Sequence, residues 1–385
     1  MKFVEATLYM LKIPFVEAFS HSARTRAFSD SIVVRLRAED GTIGYGEGIA
    51  RPYVTGETLE TCLDHMVSQL WPAIAAIDYP DLIPGPDPIK TLAPVDTTLP
   101  DLETPGVIAW HAARTAFELA LIDTLLQRQN LSLAALLPPT RHTVIYSGII
   151  STGSLAKAVQ NAKHFKSFGI QHIKIKIDGA HDRERVSAIR KTLGRSVSLR
   201  VDANGAYTVP QAIATLTDLA EFNIDSAEQP IPRGDPAEFA RVKAQSPIPV
   251  MADESLVTVA DARALIEMKA CDFFNLRLSK CGGIGRTLEL AGIATRAGLK
   301  LQLGCQVGET AILSAAGRHV AAYLEDLVFV EGSYGSLLLT EDVSENNVTF
   351  GQGGKAPVLQ DPGLGVKVCE DRLRKYAHTI TRLGD

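Results

Sequence analysis

Positive charge is nowhere concentrated in this chain. Lys and Arg number 39 against 44 Asp and Glu, the net charge is −5, and there is no long basic run. Nucleic-acid binders carry a basic patch or stripe, so the balance argues against nucleic acid as the main partner. Long apolar runs are missing too; none approaches the ~20 residues of a membrane span. The N-terminal stretch "MKFVEATLYMLKIPF" is interrupted by Glu5 and Lys12. It lacks the apolar segment and small-residue cleavage site of a secretory signal, so the expected location is the cytoplasm. Cysteine is scarce: Cys62, Cys271, Cys281, Cys305 and Cys369 are odd in number and scattered, with no CxxC. That pattern suits reduced thiols and carries no zinc signal, and Cys271 and Cys281, which flank a predicted strand, read as structural. What is present is ordinary for a soluble globular protein, 46% hydrophobic and 22% charged over 385 residues. The length suggests two or three domains and ample core.

The first 50 residues read as an antiparallel meander. "SIVVRLRAEDGTIGYGEG" is strand, Asp40-Gly41 turn, strand, a strong hairpin signal. Helical patterns follow near Glu57–Ile77 and Val107–Gln127. Between them, "YPDLIPGPDPIKTLAPVDTTLPDLETP" carries seven prolines from Pro80 to Pro105, which predicts a long surface loop and neither helix nor central strand. From about residue 142 short β-rich runs alternate with helical patterns. The runs are "TVIYSG", "HIKIKI", "VSLRVD", "IDSAE", "IPVMAD", "FFNLRL", "KLQLG" and "LVFVEG", about 23 to 30 residues apart. Eight such units predict a parallel sheet closed into a (β/α) barrel. An open doubly wound sheet is the alternative, but the GxGxxG that would favour it is absent after the first strand. The tail beyond Thr340 is mixed in texture and is expected to pack on the N-terminal segment.

Barrel active sites sit at the C-terminal ends of the strands. There stand Lys174 and Lys176, then Asp202 and Asn204, Glu228, Asp253 and Glu254, and Lys280. The intervals Lys176, Asp202, Glu228, Asp253, Lys280 are 26, 26, 25 and 27 residues, the period of the βα units themselves. Singly, an Asp at a strand end is as easily a helix N-cap, and "HIKIKID" alone reads as an edge strand with solvated lysines. The shared step favours a site. Three carboxylates on adjacent strands would repel one another without a cation. Mg²⁺ suits carboxylate oxygens, and the absence of His or Cys from the set argues against Zn²⁺. Strands two and six of an eight-stranded barrel lie opposite, so Lys176 and Lys280 would face each other over a substrate α-carbon. A metal to one side would stabilise the enediolate as the α-proton leaves. Burial, the metal and the neighbouring Lys174 are expected to lower a lysine pKa, fitting one lysine as base and the other as a positive charge near the oxyanion.

The segments "KIK", "DANGAY", "EQP", "ADES" and "SKCGGI" together resemble the enolase superfamily, specifically its muconate-lactonizing subgroup, over nearly the whole chain. "GEGIARPYVTGET", which contains Tyr53, is similar to that subgroup's capping-domain loop, and "HAARTAFELALIDTLL" to its helix leading into the barrel. The resemblance implies a modified (β/α)7β barrel with an N-terminal α+β capping domain. The expected division is residues 1–130 with the tail 341–385 for the cap, and 131–340 for the barrel. It implies Mg²⁺, with Mn²⁺ the alternative ion, on Asp202, Glu228 and Asp253, acid/base roles for Lys176 and Lys280, and a supporting role for Lys174. Asn204, Glu254, Glu309 and Tyr53 are expected around the substrate or behind the ligands. The seventh strand, "LKLQLGCQ", lacks the His of the mandelate-racemase branch. The eighth, "FVEGSYGSLLLTEDV", lacks the Asp-x-Asp of dipeptide epimerases and is closer to the lactonizing pattern. In "FSHSARTRAFSD", His21, Arg24 and Arg26 either meet a second anionic group of the substrate or form a solvated basic loop. His319 reads as structural and "CGGIGRT" as a tight turn.

The expected activity is proton abstraction from a small carboxylate substrate: cycloisomerisation or racemisation and epimerisation, with o-succinylbenzoate-synthase-like dehydration and dipeptide epimerisation as alternatives. A symmetric homo-oligomer is expected. A binding protein that has lost chemistry would have no use for every ligand and base, and a metal-dependent hydrolase would not need two opposed lysines.

Overall fold

The computed structural model describes residues 1–21 and 24–384; of the side chains of residues 18–25 nothing is said, which leaves those of His21 and Arg24 outside the described residues. Three antiparallel strands open the chain, β1 (Phe3–His21), β2 (Arg24–Ala38) and β3 (Ile43–Gly48). Next come β4 (Thr143–Ile145), β5 (Gly148–Ile150), β6 (His172–Lys176), β7 (Ser198–Asp202) and β8 (Ile224–Glu228). They are followed by β9 (Val250–Ala252), β10 (Phe273–Leu276), β11 (Lys300–Leu303), β12 (Leu327–Val330), β13 (Lys355–Pro357) and β14 (Ala377–Gly384).

These strands form two main sheets. One is antiparallel in the order β14-β1-β2-β3, so the tail does pack on the N-terminal segment, as the β1–β14 register Thr7↔Arg382 illustrates. The other is a curled parallel sheet running in strict order from β5 to β12. Its two ends meet where the Ser147 N–H donates to the Val330 carbonyl at 2.8 Å. Helices separate successive strands from β5 to β12 and cover the outer face, as parallel sheets require. The alternation in "HIKIKID" therefore has an unexpected cause. Ile173, Ile175 and Ile177 are buried under helices, and Lys174 and Lys176 are also buried, at 2% and 6% exposure. Period two here separates an apolar outside from a polar interior.

Three sequence expectations need correction. "TVIYSG" is two elements: β4 pairs antiparallel with β13, and the parallel sheet begins only at Gly148. The proline-rich segment is also no mere loop, because Pro88–Asp96 is helical. Asp87 caps it, accepting from the Ile89 N–H at 3.1 Å, and Pro88 sits in the first turn, where no N–H is needed. Pro94 lies so near the C-terminal end that the helix stops two residues later, at Asp96. Leu92 and Val95 bury the inner face. The second N-terminal helical region starts at His111, four residues later than its pattern suggested, and runs to Gln129.

Burial is continuous between the two sheets, and buried carboxylates tie them together. Glu47 on β3 accepts from the Thr310 and Leu313 N–H groups, capping helix Ala311–Tyr323. Glu118 in helix His111–Gln129 accepts from the Ile284 and Gly285 N–H groups, capping helix Ile284–Arg296. Each helix thereby satisfies N–H groups that no residue within the helix can reach.

Candidate active site

The C-terminal ends of β6 to β8 place their side chains in one row. Lys176 is paired in register with Asp202, and Asp202 with Glu228. Lys176 Nζ donates to Asp202 Oδ2 and to Asn204 Oδ1, both at 2.6 Å. Lys174 lies one layer deeper and reaches Asp202 Oδ2 at 3.2 Å, Glu228 Oε1 at 3.3 Å and Glu331 Oε2 at 2.7 Å. Lys280 stands in a short helix, Leu278–Cys281, just after β10. Its Nζ donates to Asp253 Oδ1 at 2.9 Å and to the carbonyls of Asp253 and Asn275, both at 2.7 Å. Gly282, at φ +91°, ends that helix in the left-handed region. "CGGIGRT" is the turn its sequence suggested, with Gly283 entering the next helix.

Burial and charge act against each other at these groups. Burial pushes the Asp202 carboxyl up, but Lys176 and Lys174 outweigh it and hold the group well below its ordinary value. Burial likewise lowers Lys174, yet Glu228, Glu331 and Asp202 raise it above the usual lysine range. Three carboxylates thus outweigh desolvation at Lys174, which keeps its positive charge. Lys280 moves the other way. Burial is the largest influence on it, and it is lowered to about 8. Glu254 is raised, by burial first and then by Asp202.

Several residues that the charged-residue step did not single out complete the cluster. Arg277 contacts Asp253 and lies 3.4 Å from Glu228 Oε1. Asn275 and Gln302 each donate to Glu228 at 2.9 Å. Glu331 joins Lys174 to Arg200, whose NH2 is 2.7 Å from Glu331 Oε1. The signal for them was present: Asn275, Gln302 and Glu331 occupy inward positions of β10, β11 and the end of β12 at intervals of 27 and 29 residues. Apolar residues dominate these strands, and a neutral or isolated polar position among them is indistinguishable from strand filler in the sequence alone.

The peripheral candidates divide. Arg26 and Tyr53 border a narrow space of about 30 Å³ together with Lys174, Lys176 and Asn204. Arg26 itself is turned to Asp30, at 2.9 Å. Asn204 Nδ2 donates to Glu254 Oε1 at 3.0 Å. Glu309 lies farther out, its Oε1 accepting from the Gln306 N–H at 2.6 Å. His319 is buried with Nε2 3.2 Å from the Leu364 carbonyl, a structural position.

The donor set bears on a metal. Asp202, Glu228, Asp253 and Glu254 present hard oxygens in one buried cluster, the chemistry a magnesium-like cation prefers. Glu254 Oε2 is buried with no hydrogen-bond partner, an arrangement that is costly unless a cation or donor meets it. Among the described residues no three His, Cys, Asp or Glu side chains already form a metal cage; Arg277 and the lysines stand between the carboxylates. The residue types and the orphaned oxygen fit a divalent ion once Arg277 gives way.

A curled parallel sheet with lysines and carboxylates clustered at its strand ends points to an enzyme class, and comparison with known proteins agrees. Residues 156–372 match the family described as Enolase C-terminal domain-like. The chain is 29% identical to N-succinyl-L-Arg/Lys racemase of Bacillus cereus over 97% of its length and 98% of the relative's. The crystal structure of that racemase superposes with a TM-score of 0.88, covering both chains completely. D-Ala-D/L-Ala epimerase of Cytophaga hutchinsonii is 30% identical over 97% of this chain and 98% of its own. Muconate cycloisomerase 1 of Pseudomonas putida is 29% identical over 93% and 92%. This chain belongs to the enolase superfamily, in the group that contains the muconate-lactonizing enzymes, and is an enzyme of its isomerase kind. Members of that superfamily use Mg²⁺; a dipeptide epimerase from Cytophaga hutchinsonii, TM-score 0.87, is complexed with Mg and the dipeptide D-Ala-L-Val.

Proposed function

We propose that the chain abstracts the α-proton of a small carboxylate substrate in a Mg²⁺-dependent reaction whose net result is racemisation, epimerisation or muconate-type cycloisomerisation. The observation that carries this reading is the meeting of Lys174, Lys176 and Lys280 with Asp202, Glu228 and Asp253 at the ends of parallel strands. The racemase, epimerase and cycloisomerase names of the relatives support it.

Lys176 and Lys280 serve as the acid/base pair. Asn204 and Asp202 orient the Lys176 ammonium through two hydrogen bonds of 2.6 Å. Lys280, lowered to about 8, exchanges a proton readily near neutral pH. Lys174 keeps its proton and offers a fixed positive charge to the oxygen on which negative charge develops. Asp202, Glu228 and Asp253 would hold Mg²⁺ (or Mn²⁺), which supplies electrostatic stabilisation of the substrate carboxylate when bound. Glu254 and Asn204 lie behind these ligands, and Arg26 and Tyr53 border the substrate. In the same reading the curled sheet is a (β/α)7β barrel over residues 131–340. Residues 1–130 with 341–385 form the cap, and the enzyme works in the cytoplasm as a homo-oligomer. Among the described residues no helix is long and apolar enough to cross a membrane.

The test is hydrogen exchange in D₂O with a panel of carboxylic acids and Mg²⁺. The expected result is one deuterium at the α-carbon with the native enzyme, none after chelation, and loss of net turnover in Lys176→Ala and Lys280→Ala. Full turnover in both variants would overturn the assignment.

A further inference from the structure

Beside the narrow space at the lysines lies a much larger chamber of about 500 Å³. Ile149, Cys305, Gln306 and Val307 border both, so the two spaces adjoin. A volume of this size suits a small-molecule moiety, and the space beside the lysines, about 30 Å³, is far too small for one.

The chamber's lining is mixed: Phe165, Tyr334, Leu338 and Phe350 give it much of its surface, and Asn161, His164 and Gln306 also border it. Tyr334 and Phe350 meet edge to face at 5.4 Å, and the Tyr334 hydroxyl is taken up by the Ser147 carbonyl at 2.7 Å, so the ring presents its apolar surface. Two described carboxylates border the space. Glu17 is at the solvent rim and paired with Lys157 at 3.1 Å. Glu309 is inside, and burial pushes it up to about 8, so at neutral pH it is mostly uncharged. Beside it Ser314, 4% exposed, has a buried hydroxyl with no hydrogen-bond partner. A buried, unpartnered hydroxyl lining the chamber points to a ligand with a neutral polar atom at that depth.

We infer that this chamber receives the substituent on the substrate's α-carbon, and that the substituent is uncharged and mainly apolar, with Ser314 and Leu337 as specificity-determining residues. The inference rests on the α-proton reading above. A cationic arm would lose its hydration inside, and the rim carboxylate Glu17 is already paired with Lys157. An anionic arm would meet Lys157 only at the rim, already paired with Glu17.

The test uses N-acetyl and N-succinyl derivatives of Phe, Leu, Lys and Arg with the Mg²⁺-loaded enzyme, read as α-deuterium incorporation. The expected kcat/KM for the Phe or Leu derivatives exceeds that for Lys and Arg by about tenfold or more. Leu337 is 54% exposed, so Leu337→Asp should fold normally. It adds an anion at the chamber and is expected to cut the preference at least fivefold, mostly through KM, while Leu337→Met leaves it in place. Equal rates for apolar and cationic arms, a preference unmoved by Leu337→Asp, or exchange confined to acids with no apolar arm would each overturn this inference and leave the α-proton reading standing. No exchange with any acid would overturn both.

Discussion

Two sets of buried carboxylates in this molecule have opposite surroundings. At the strand ends, Asp202 and Glu331 lie against lysines and arginines and are held below their ordinary values despite burial. Between the two sheets, Glu47, Glu57 and Glu118 are as deeply buried but receive mainly backbone N–H groups, and burial pushes each up to about 7. The first set keeps its charge at the candidate site. The second makes polar connections that tolerate a proton. The same residue type is thus held ionised or allowed a proton according to whether a cation stands within about 3 Å of it, because in a low-dielectric interior that pairing decides the ionised fraction.

The largest effects should come from removing a cation from the first set. Lys280→Ala is expected to lower α-proton exchange by about 10²- to 10⁴-fold, with far-UV circular dichroism unchanged; a loss below tenfold would break the division between the sets. Next is Glu331→Ala. It leaves Lys174 and Arg200 without their shared partner and is expected to destabilise the fold by about 3–5 kcal/mol in denaturant titrations. A cost under about 1 kcal/mol would show that the mouth cations find other partners. Smaller again is Glu47→Ala, which strips acceptors from the Thr310 and Leu313 N–H groups. About 1–3 kcal/mol is expected, with the exchange reaction measured at saturating substrate changed less than twofold.

The sequence makes the first set far easier to see than the second. Lys176, Asp202, Glu228, Asp253 and Lys280 repeat at the step of the βα unit, so topology alone gathers them. Arg277 and Glu331 escaped because a lone inward polar residue looks like strand filler until the facing strand is known. Glu47 and Glu118 leave no local trace: their partners lie 263 and 166 residues away, and no turn or cap pattern in "GYGEG" or "TAFELA" announces them. The helix at Pro88–Asp96 was hidden for a different reason. Its prolines fall in the first turn and near the last residues, where the helix needs few N–H donors, so proline density misled where proline position would not have.

The smallest effect is the one that separates the two sets most cleanly, because it differs in sign. For Glu47, below pH ~4 the carboxyl is protonated in both folded and unfolded chains, and pH makes no difference. Between its ordinary value of 4.5 and about 7 the unfolded chain ionises while the folded one keeps its proton. Folding then binds protons, so stability falls as pH rises through this window and levels off above about 7. For Glu331, held low by Lys174 and Arg200, the contribution is present above the ordinary carboxylate value and fades as pH falls toward its lowered one. Glu47→Gln should therefore flatten the decline in unfolding free energy between pH 5 and 7, and Glu331→Gln should leave that decline intact and change stability on the acid side. The measurement is urea unfolding at several pH values for the native chain and both variants. If Glu47→Gln leaves the slope between pH 5 and 7 unaltered, the carboxyl is ionised throughout, and its backbone donors suffice to hold a charge that elsewhere in this protein needs a lysine.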